Sequence, residues 1–179
     1  MNRDYSNLSL KKRAKTFHFA SLFFSKEIRN DVETLYFFCR YIDDIGDSKD
    51  GNKVSLRNSL ESIKKQLRNK KSGNEIISSF LNLTYKYKID IKVPIALING
   101  VISDLKTVNI NDYNELVTYS YKVAGTVGYM MCKIMNIKNN EMLFKGVQLG
   151  IAMQFTNIAR DIKEDLERGR IYFPKKFRI

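Results

Sequence analysis

The sequence predicts an all-α protein, and three observations support this prediction. Apolar residues recur at helical spacing through most of the 179 residues, and no extended runs of Val or Ile alternate with polar residues. The chain contains only two prolines. Residues typical of helix N-caps precede several of the periodic segments. The pattern indicates six or seven helices with short connections, and the length suits a single domain over residues 1–179.

In chain order, the predicted helices cover residues 11–24, 30–47, 55–69, 72–87, 94–105, 112–134 and 140–168. Asn30, Ser72 and Asp112 are each followed by Glu three residues later, which is the spacing of a capping box. Pro94 suits the first turn of a helix because its missing N–H has no partner there in any case. Gly169 suits the end of the last helix.

The last predicted helix carries a stripe of polar side chains. Because an α-helix turns about 100° per residue, side chains three or four positions apart share a face. The stripe consists of Gln154, Asn157, Asp161 and Asp165. Phe155 and Ile158 fall on other sides, where packing would turn the stripe toward a cleft. Taken alone, this stripe is equally well explained as a solvated helix face.

A second stripe lies on the helix predicted over residues 30–47. Its members are spaced four, three and four residues apart, and they are Tyr36, Arg40, Asp43 and Asp47. Asp44 lies one residue's rotation away from this line, so Asp43 and Asp47 are the better pair to bind one ligand jointly. Two acidic stripes on separate helices are more specific than one.

Two facing acidic stripes would repel each other unless cations neutralised them. Oxygen ligands of this kind suit Mg²⁺, which is usually held by one or two carboxylates together with substrate phosphates. A bridging diphosphate could also be bound by Arg40 and Arg160. Departure of that diphosphate from an allylic carbon would leave a carbocation, which the rings of Phe17, Tyr36 and Tyr121 could shield.

Composition limits the other classes of function. Lys and Arg residues are scattered over the chain, with clusters in residues 11–13, 64–71 and 175–176, and no nucleic-acid-binding motif accompanies them. The net charge of +12 therefore favours an anionic ligand or peripheral contact with a membrane surface. The single histidine, His18, makes a His-based triad or zinc site nearly untenable. Cys39 and Cys132 lie in apolar helical patterns and are expected to be buried free thiols. Without an apolar signal core or a membrane-spanning run, we expect a cytoplasmic protein, with peripheral membrane association as an alternative.

Two further features permit two interpretations each. Gly125 and Gly128 share a helix side with Tyr121, and they would serve close helix packing or widen a pocket beside the tyrosine hydroxyl, with helix packing the commoner cause. Asp104 could face the cleft, but the sequence favours a surface acid.

At the level of motifs, the sequence resembles the squalene/phytoene synthases, a family of all-α head-to-head prenyltransferases. The resemblance lies in residues 38–47 and 154–165, which match the family's two aspartate motifs, and in residues 15–17, 121–128 and 169–174. It implies an isoprenoid-synthase-like helical bundle. The form of the second motif leans toward phytoene synthases.

Members of the family usually continue for several more helices, so we expect an incomplete, C-terminally truncated domain lacking about a third of the whole and one wall of its cavity.

The same resemblance implies a role for each matching residue. Metal binding is implied at Asp43, Asp47, Asn157, Asp161 and Asp165. Catalytic roles are implied at Tyr121, Arg40 and Arg160, of which the two arginines contact diphosphate. Contacts with the prenyl chains or reacting carbons are implied at Phe17, Tyr36, Tyr121 and Gln154.

The implied activity is Mg²⁺-dependent joining of two prenyl diphosphates, geranylgeranyl diphosphate for phytoene, through a cyclopropyl diphosphate. A squalene-type reaction with farnesyl diphosphate, which uses NADPH, is the nearest alternative. A non-catalytic family member acting as an assembly scaffold is a second alternative. Head-to-tail chain elongation is a third, suggested by the paired Asp43 and Asp44, and the second acidic stripe disfavours it.

Overall fold

A computed structural model describes residues 23–48 and 52–177. The predicted helix over residues 11–24, including Phe17, lies almost wholly outside the described residues. The first four helices are α1 (Lys26–Gly46), α2 (Lys53–Arg68), α3 (Glu75–Lys86) and α4 (Lys92–Asp104). After them come strand β1 (Val108–Asn109), α5 (Tyr113–Ser120), a π-helical turn (Tyr121–Gly125), α6 (Thr126–Ile134), α7 (Asn140–Arg160), α8 (Ile162–Glu167), strand β2 (Arg170–Ile171) and a 3₁₀ turn (Lys175–Phe177). The all-α prediction is confirmed.

Two of the predicted helix starts are wrong. Helix α1 is capped by Ser25, whose side chain accepts a hydrogen bond from the backbone N–H of Ile28, so Asn30 lies inside the helix. Helix α3 is capped by Asn74, because the Ser72 hydroxyl instead donates to Gln66 and accepts from the backbone of Asn74. In both cases a second polar residue within a few positions competed for the cap. The predicted cap at Asp112 is confirmed.

The main core forms where α1 packs against the helices that follow it. Val32, Leu35, Phe38 and Ile42 recur at helical spacing along α1, and all are buried. The Phe38 ring stacks on Phe80 of α3 with centroids 3.6 Å apart. Burial of this apolar side of α1 against the core orients the remaining sides of the helix, including the one that carries Asp43 and Asp47.

Three glycines allow α7 to cross α6 and the π-helical turn at close range. A Cβ atom on Gly128 would overlap the carbonyl oxygen of Gly146, and one on Gly150 would overlap that of Ala124. A Cβ on Gly125 would lie 3.1 Å from the Tyr121 ring and 3.2 Å from Val147. Helix packing therefore accounts for the glycines, in agreement with the commoner of the two causes considered from the sequence.

The chain departs from the predicted helices in its second half. The helix predicted over residues 140–168 is broken at Asp161. Helix α7 ends at Arg160, and α8 begins at Ile162. The strands β1 and β2, which were not predicted, pair in parallel with Val108 opposite Arg170. This short pairing ties the segment after α8 to the segment after α4. The predicted end of α8 at Gly169 is confirmed by a positive φ of 71°.

No helix in the described ranges is both long enough and apolar enough to cross a bilayer. Cys39 and Cys132 are free thiols, as predicted, with Cys132 buried and Cys39 partly buried.

Candidate active site

The two acidic stripes meet in one polar cleft with a volume of about 230 Å³. Its lining comes from α1, α4, α5, α7, α8 and the segment after α8. The side chains that line the cleft are Arg40, Asp43, Asp47, Val101, Asp104, Tyr119, Gln154, Asn157, Ile158, Asp161, Asp165, Arg168, Arg170 and Tyr172, with Gly46 between them.

Gly46 determines how closely α4 approaches the acidic end of α1. A Cβ atom at this position would overlap the Cγ1 atom of Val101, so the glycine permits a contact that any other residue would disturb. Asp104 lies one helical turn after Val101 and therefore reaches the same cleft as Asp43. The interpretation of Asp104 as a surface acid is wrong, because this close helix crossing places its carboxylate in the cleft.

Asp104 is held by two tyrosines at the back of the cleft. The Tyr119 hydroxyl donates to Asp104 Oδ2 at 2.9 Å, and the Tyr119 ring stacks on that of Tyr172 with centroids 4.7 Å apart. The other carboxylate oxygen, Oδ1, is buried and has no hydrogen-bond partner. A buried carboxylate with one orphaned oxygen is unfavourable and would gain from a cation or a donor placed in the cleft.

Arginines neutralise part of the acidic charge. Asp47 pairs with Arg170 at 3.0 Å and with Arg168 at 3.4 Å, which links α1 to the segment after α8. Arg160 holds Asp161 through two hydrogen bonds of 2.6 and 2.7 Å. Arg168 also pairs with Glu164 at 2.6 Å, and Arg40 pairs with Asp44 at 2.8 Å. Asp44 is bound by Arg40 and does not line the cleft. Asp43 and Asp47 are the pair that line it, as the spacing predicts.

Burial, and to a smaller extent crowding, changes the acidity of the carboxylates. Burial, reinforced by Asp47, raises the pKa of Asp43 to about 6 although its side chain is open to the cleft. Burial also raises the pKa of Asp104 to about 6, against the opposing effect of the Tyr119 hydrogen bond. Burial raises the pKa of Asp165, and the Arg160 hydrogen bonds lower that of Asp161. The ionised forms of Asp43 and Asp104 are therefore disfavoured in the cleft, mainly because water is excluded from them.

Seven of the residues predicted for the site line the cleft, and they are Arg40, Asp43, Asp47, Gln154, Asn157, Asp161 and Asp165. Three others do not. The Tyr36 ring makes an edge contact with Phe37. Tyr121 lies beside Gly125 and is 41% exposed. The Arg160 side chain is 67% exposed, and its contact with the site is its ion pair with Asp161. Phe17 lies outside the described residues.

Sequence reasoning considered Asp104 for the cleft but favoured a surface position, and it did not identify Tyr119, Arg168, Arg170 or Tyr172 as residues of the site. Helical spacing groups residues of one helix, whereas these five reach the cleft through the Gly46 crossing and the β1–β2 pairing. In the sequence, Gly46 directly before Asp47 was the available indication that another helix crosses α1 closely at this point.

The donor set fits a hard divalent cation. The described side chains contain no group of three His, Cys, Asp or Glu residues that alone could hold a metal. Carboxylates on both sides of the cleft, the Asn157 amide and the orphaned oxygen of Asp104 are nevertheless the oxygen ligands that Mg²⁺ prefers. Such a cation would be held jointly by protein carboxylates and by a bound anion.

The raised pKa of Asp104 predicts a specific pH dependence of stability. Because the native state keeps this proton more tightly than the unfolded state, wild type loses stability as pH rises from about 4 to about 7. Asp104→Asn cannot ionise, so its free energy of unfolding relative to wild type should increase over that range, by at most about 3 kcal/mol. Urea unfolding at a series of pH values measures this difference.

The matched control for that experiment is Glu167→Gln, which removes an exposed carboxylate on α8 away from the cleft. Its stability relative to wild type should not rise in the same way. A pH-independent difference for Asp104→Asn would contradict the environment described for Asp104.

Comparison of the structure with solved structures defines the class. A dehydrosqualene synthase crystallised in complex with ligand superposes with a TM-score of 0.82 and 28% sequence identity, covering 93% of this chain and 59% of that one. The fold is therefore the helical fold of the isoprenoid synthases. The sequence matches the squalene/phytoene synthase family over residues 10–177, and the chain belongs to this family.

Two named relatives show how much of such a protein the chain represents. It is 34% identical over 171 residues to phytoene synthase 1, chloroplastic, of Zea mays, covering 90% of this chain and 42% of that protein. It is also 34% identical over 168 residues to the phytoene synthase of Thermus thermophilus, covering 92% of this chain and 56% of that one. The chain thus spans about half the length of these relatives.

Proposed function

We propose that the cleft binds the diphosphate of a prenyl diphosphate and promotes head-to-head condensation of two such molecules. The observation that carries this proposal is the convergence of acidic residues from two helices distant in sequence, together with arginines, on one cleft. Membership of the squalene/phytoene synthase family supports the reaction class. The names of the relatives from Zea mays and Thermus thermophilus favour phytoene as the product.

The charge of the cleft is the physical reason for proposing a divalent cation. Five aspartates and three arginines line it, so it carries two net negative charges when all are ionised. A diphosphate would be repelled by that field unless cations entered with it. In this proposal Asp43 and Asp47 hold Mg²⁺ from one side, and Asn157, Asp161 and Asp165 hold it from the other. Bound Mg²⁺ would neutralise charge on the departing diphosphate.

The arginines of the cleft would bind the diphosphate oxygens. Arg170 is paired with Asp47, and Arg40 with Asp44. Arg168 is held by Glu164 at 2.6 Å and contacts Asp47 at 3.4 Å. Once Asp47 turns to a cation, Arg170 becomes available for charge-assisted hydrogen bonds to the anion, and the Arg168 nitrogen that faced Asp47 is also released. These contacts would hold the diphosphate against the acidic wall and orient the attached allylic carbon.

The proposed chemistry has two ionisations. The C1–O bond of one prenyl diphosphate breaks, and its electron pair leaves with the diphosphate. The double bond of the second molecule attacks the resulting cation, and loss of a proton gives a cyclopropyl diphosphate. A second ionisation with rearrangement and proton loss yields the hydrocarbon; the squalene-type variant replaces that last proton loss by hydride transfer from NADPH. The residues described here would act on the diphosphates and not on the carbon skeleton.

One observation favours a second candidate, a family member that needs another polypeptide segment or serves as a scaffold. Leu149 and Met153 on α7 are 63% and 60% exposed, and Tyr121 is also exposed. Large apolar side chains that share a helix and face solvent are typical of a surface that another element covers. This candidate predicts metal-dependent binding without product, or no binding at all.

The experiment that tests the proposed function compares two substrates on the purified protein. With Mg²⁺, geranylgeranyl diphosphate should release diphosphate and give phytoene without NADPH. Farnesyl diphosphate, supplied with and without NADPH, tests the squalene-type alternative. If folded protein released no diphosphate from either substrate at any Mg²⁺ concentration, the enzymatic proposal would be overturned in favour of the second candidate.

A further inference from the structure

Half of the net charge of the protein is concentrated in one helix and the turn after it. Residues 52–74 contain seven Lys and Arg residues and a single acidic residue, Glu61, so they carry six of the twelve net positive charges. The segment comprises α2 and the connection to α3. A local excess of this size creates a positive field around the segment, which salt screens beyond a Debye length.

The structure turns most of these cations outward. Glu61 is neutralised within the helix by Lys64, whose Nζ atom lies 3.0 Å from its carboxylate and whose side chain is buried. The other six cations are exposed, and none has a carboxylate within ion-pair distance in the part of the chain that the structure describes: Lys53, Arg57, Lys65, Arg68, Lys70 and Lys71. We call these six residues the α2 basic face.

Helical spacing makes this face continuous. Arg57, Glu61, Lys65 and Arg68 are three or four residues apart and share one side of α2, with the exposed Val54 at its start. The stripe from Val54 to Arg68 is about 20 Å long at 1.5 Å per residue. Basic residues in the last turn of a helix also favour its carbonyl end. That effect accounts for Lys65 and Arg68, but it does not account for Arg57 or for Lys70 and Lys71 beyond the helix.

We propose that the α2 basic face binds the anionic headgroups of a phospholipid bilayer, so that the protein associates peripherally with a membrane surface. A stripe of cations whose one acidic member, Glu61, is paired with Lys64, together with the exposed aliphatic side chain of Val54, suits a lipid surface, since each Lys or Arg near such a surface adds to binding. The described part of α2 presents no aromatic ring on which a nucleic acid base could stack. The preference for lipid also rests on the proposed function, because prenyl tails and a hydrocarbon product partition into bilayers.

Vesicle sedimentation tests this proposal. Wild type should bind vesicles of phosphatidylcholine with phosphatidylglycerol, should not bind phosphatidylcholine alone, and should dissociate as salt rises from about 0.1 to 1 M. The variant Arg57→Gln/Lys65→Gln/Arg68→Gln/Lys71→Gln should bind the anionic vesicles on the order of a hundredfold more weakly.

A matched control removes the same number of charges elsewhere. Its substitutions fall on exposed lysines outside the face, and they are Lys92→Gln, Lys106→Gln, Lys138→Gln and Lys163→Gln. The control should lose less than about threefold. Equal losses in the two variants would mean binding by net charge alone and would overturn the assignment to α2, as would failure of wild type to bind anionic vesicles.

Two further readouts complete the test. A single-stranded oligonucleotide that binds wild type more tightly than the vesicles do, with the same dependence on the α2 cations, would overturn the lipid partner in favour of nucleic acid. Mg²⁺-dependent diphosphate binding should be unchanged in the α2 variant. Loss of vesicle binding with intact diphosphate binding therefore distinguishes failure of this surface from failure of the proposed function.

Discussion

The double variant Asp161→Ala/Asp165→Ala is expected to release diphosphate from a prenyl diphosphate at least about a hundredfold more slowly than wild type. Both carboxylates line the same cleft as Asp43 and Asp47. Their removal would leave Asn157 as the remaining ligand that the second stripe offers to a cation, and the charge that develops on the departing diphosphate would be less well neutralised. Single-turnover release of diphosphate at saturating Mg²⁺ measures the effect.

A matched control removes two acidic side chains that do not line the cleft. The variant Glu141→Ala/Glu167→Ala changes one residue at the start of α7 and one on α8. Glu164 is kept because it holds Arg168 at 2.6 Å. The control should keep diphosphate release within about threefold of wild type, because it leaves the cleft and its arginines unchanged. Equal losses in the two variants would show that only net charge matters, and full activity of Asp161→Ala/Asp165→Ala would remove these residues from the mechanism.

Gly128→Ala is expected to lower the free energy of unfolding by about 2 kcal/mol, although alanine is the better helix former. The added Cβ atom would overlap the backbone carbonyl of Gly146, which cannot move aside as a flexible side chain can. The α6–α7 crossing would have to separate, and α7 carries Gln154 and Asn157 at the cleft. Thermal unfolding should show a decrease in Tm of about 4–8 °C.

Gly73→Ala provides the comparison, since a Cβ atom at Gly73 would meet nothing within 4 Å and its φ is not positive. This variant should be as stable as wild type to within about 0.5 kcal/mol. If Gly128→Ala were equally neutral, α6 and α7 would not cross as closely as described.

The convergence of the two acidic stripes illustrates what spacing can predict. Asp43 and Asp47 lie four residues apart, as do Asp161 and Asp165, so each pair was assigned to one helix face before any tertiary contact was known. Periodicity also indicated which sides of the helices would be buried. That the two faces meet was part of the hypothesis of a shared cation, since the stripes would otherwise repel each other, and both stripes do line one cleft.

The remainder of the cleft depends on contacts that spacing does not encode. Asp104 enters because Gly46 lets α4 approach α1, and Arg170 enters because β2 pairs with β1. Helix periodicity gives the face on which a residue lies but not the neighbour it meets. For that reason Tyr121, assigned to the site from the resemblance, lies outside the cleft lining, while Tyr119, two positions earlier, lies within it.

Prediction of the helix starts was limited because neighbouring polar residues compete for the N-cap position. Asn30 and Ser72 both have the residue type and the Glu spacing of an N-cap, yet Ser25 and Asn74 cap the helices. Tertiary packing decides between such neighbours: the Asn74 amide also donates to the Tyr41 hydroxyl on α1 at 3.3 Å.

Calorimetric titration of the protein with inorganic diphosphate, with and without Mg²⁺, tests the central claim most directly. A cleft with two net negative charges should bind diphosphate only when Mg²⁺ accompanies it, and the observed affinity should rise with Mg²⁺ concentration. Equal binding in the presence of a chelator, or no binding at any Mg²⁺ concentration, would contradict a site in which Asp43 and Asp47 of α1, with Asp161 and Asp165 at the start of α8, hold a cation between protein and diphosphate.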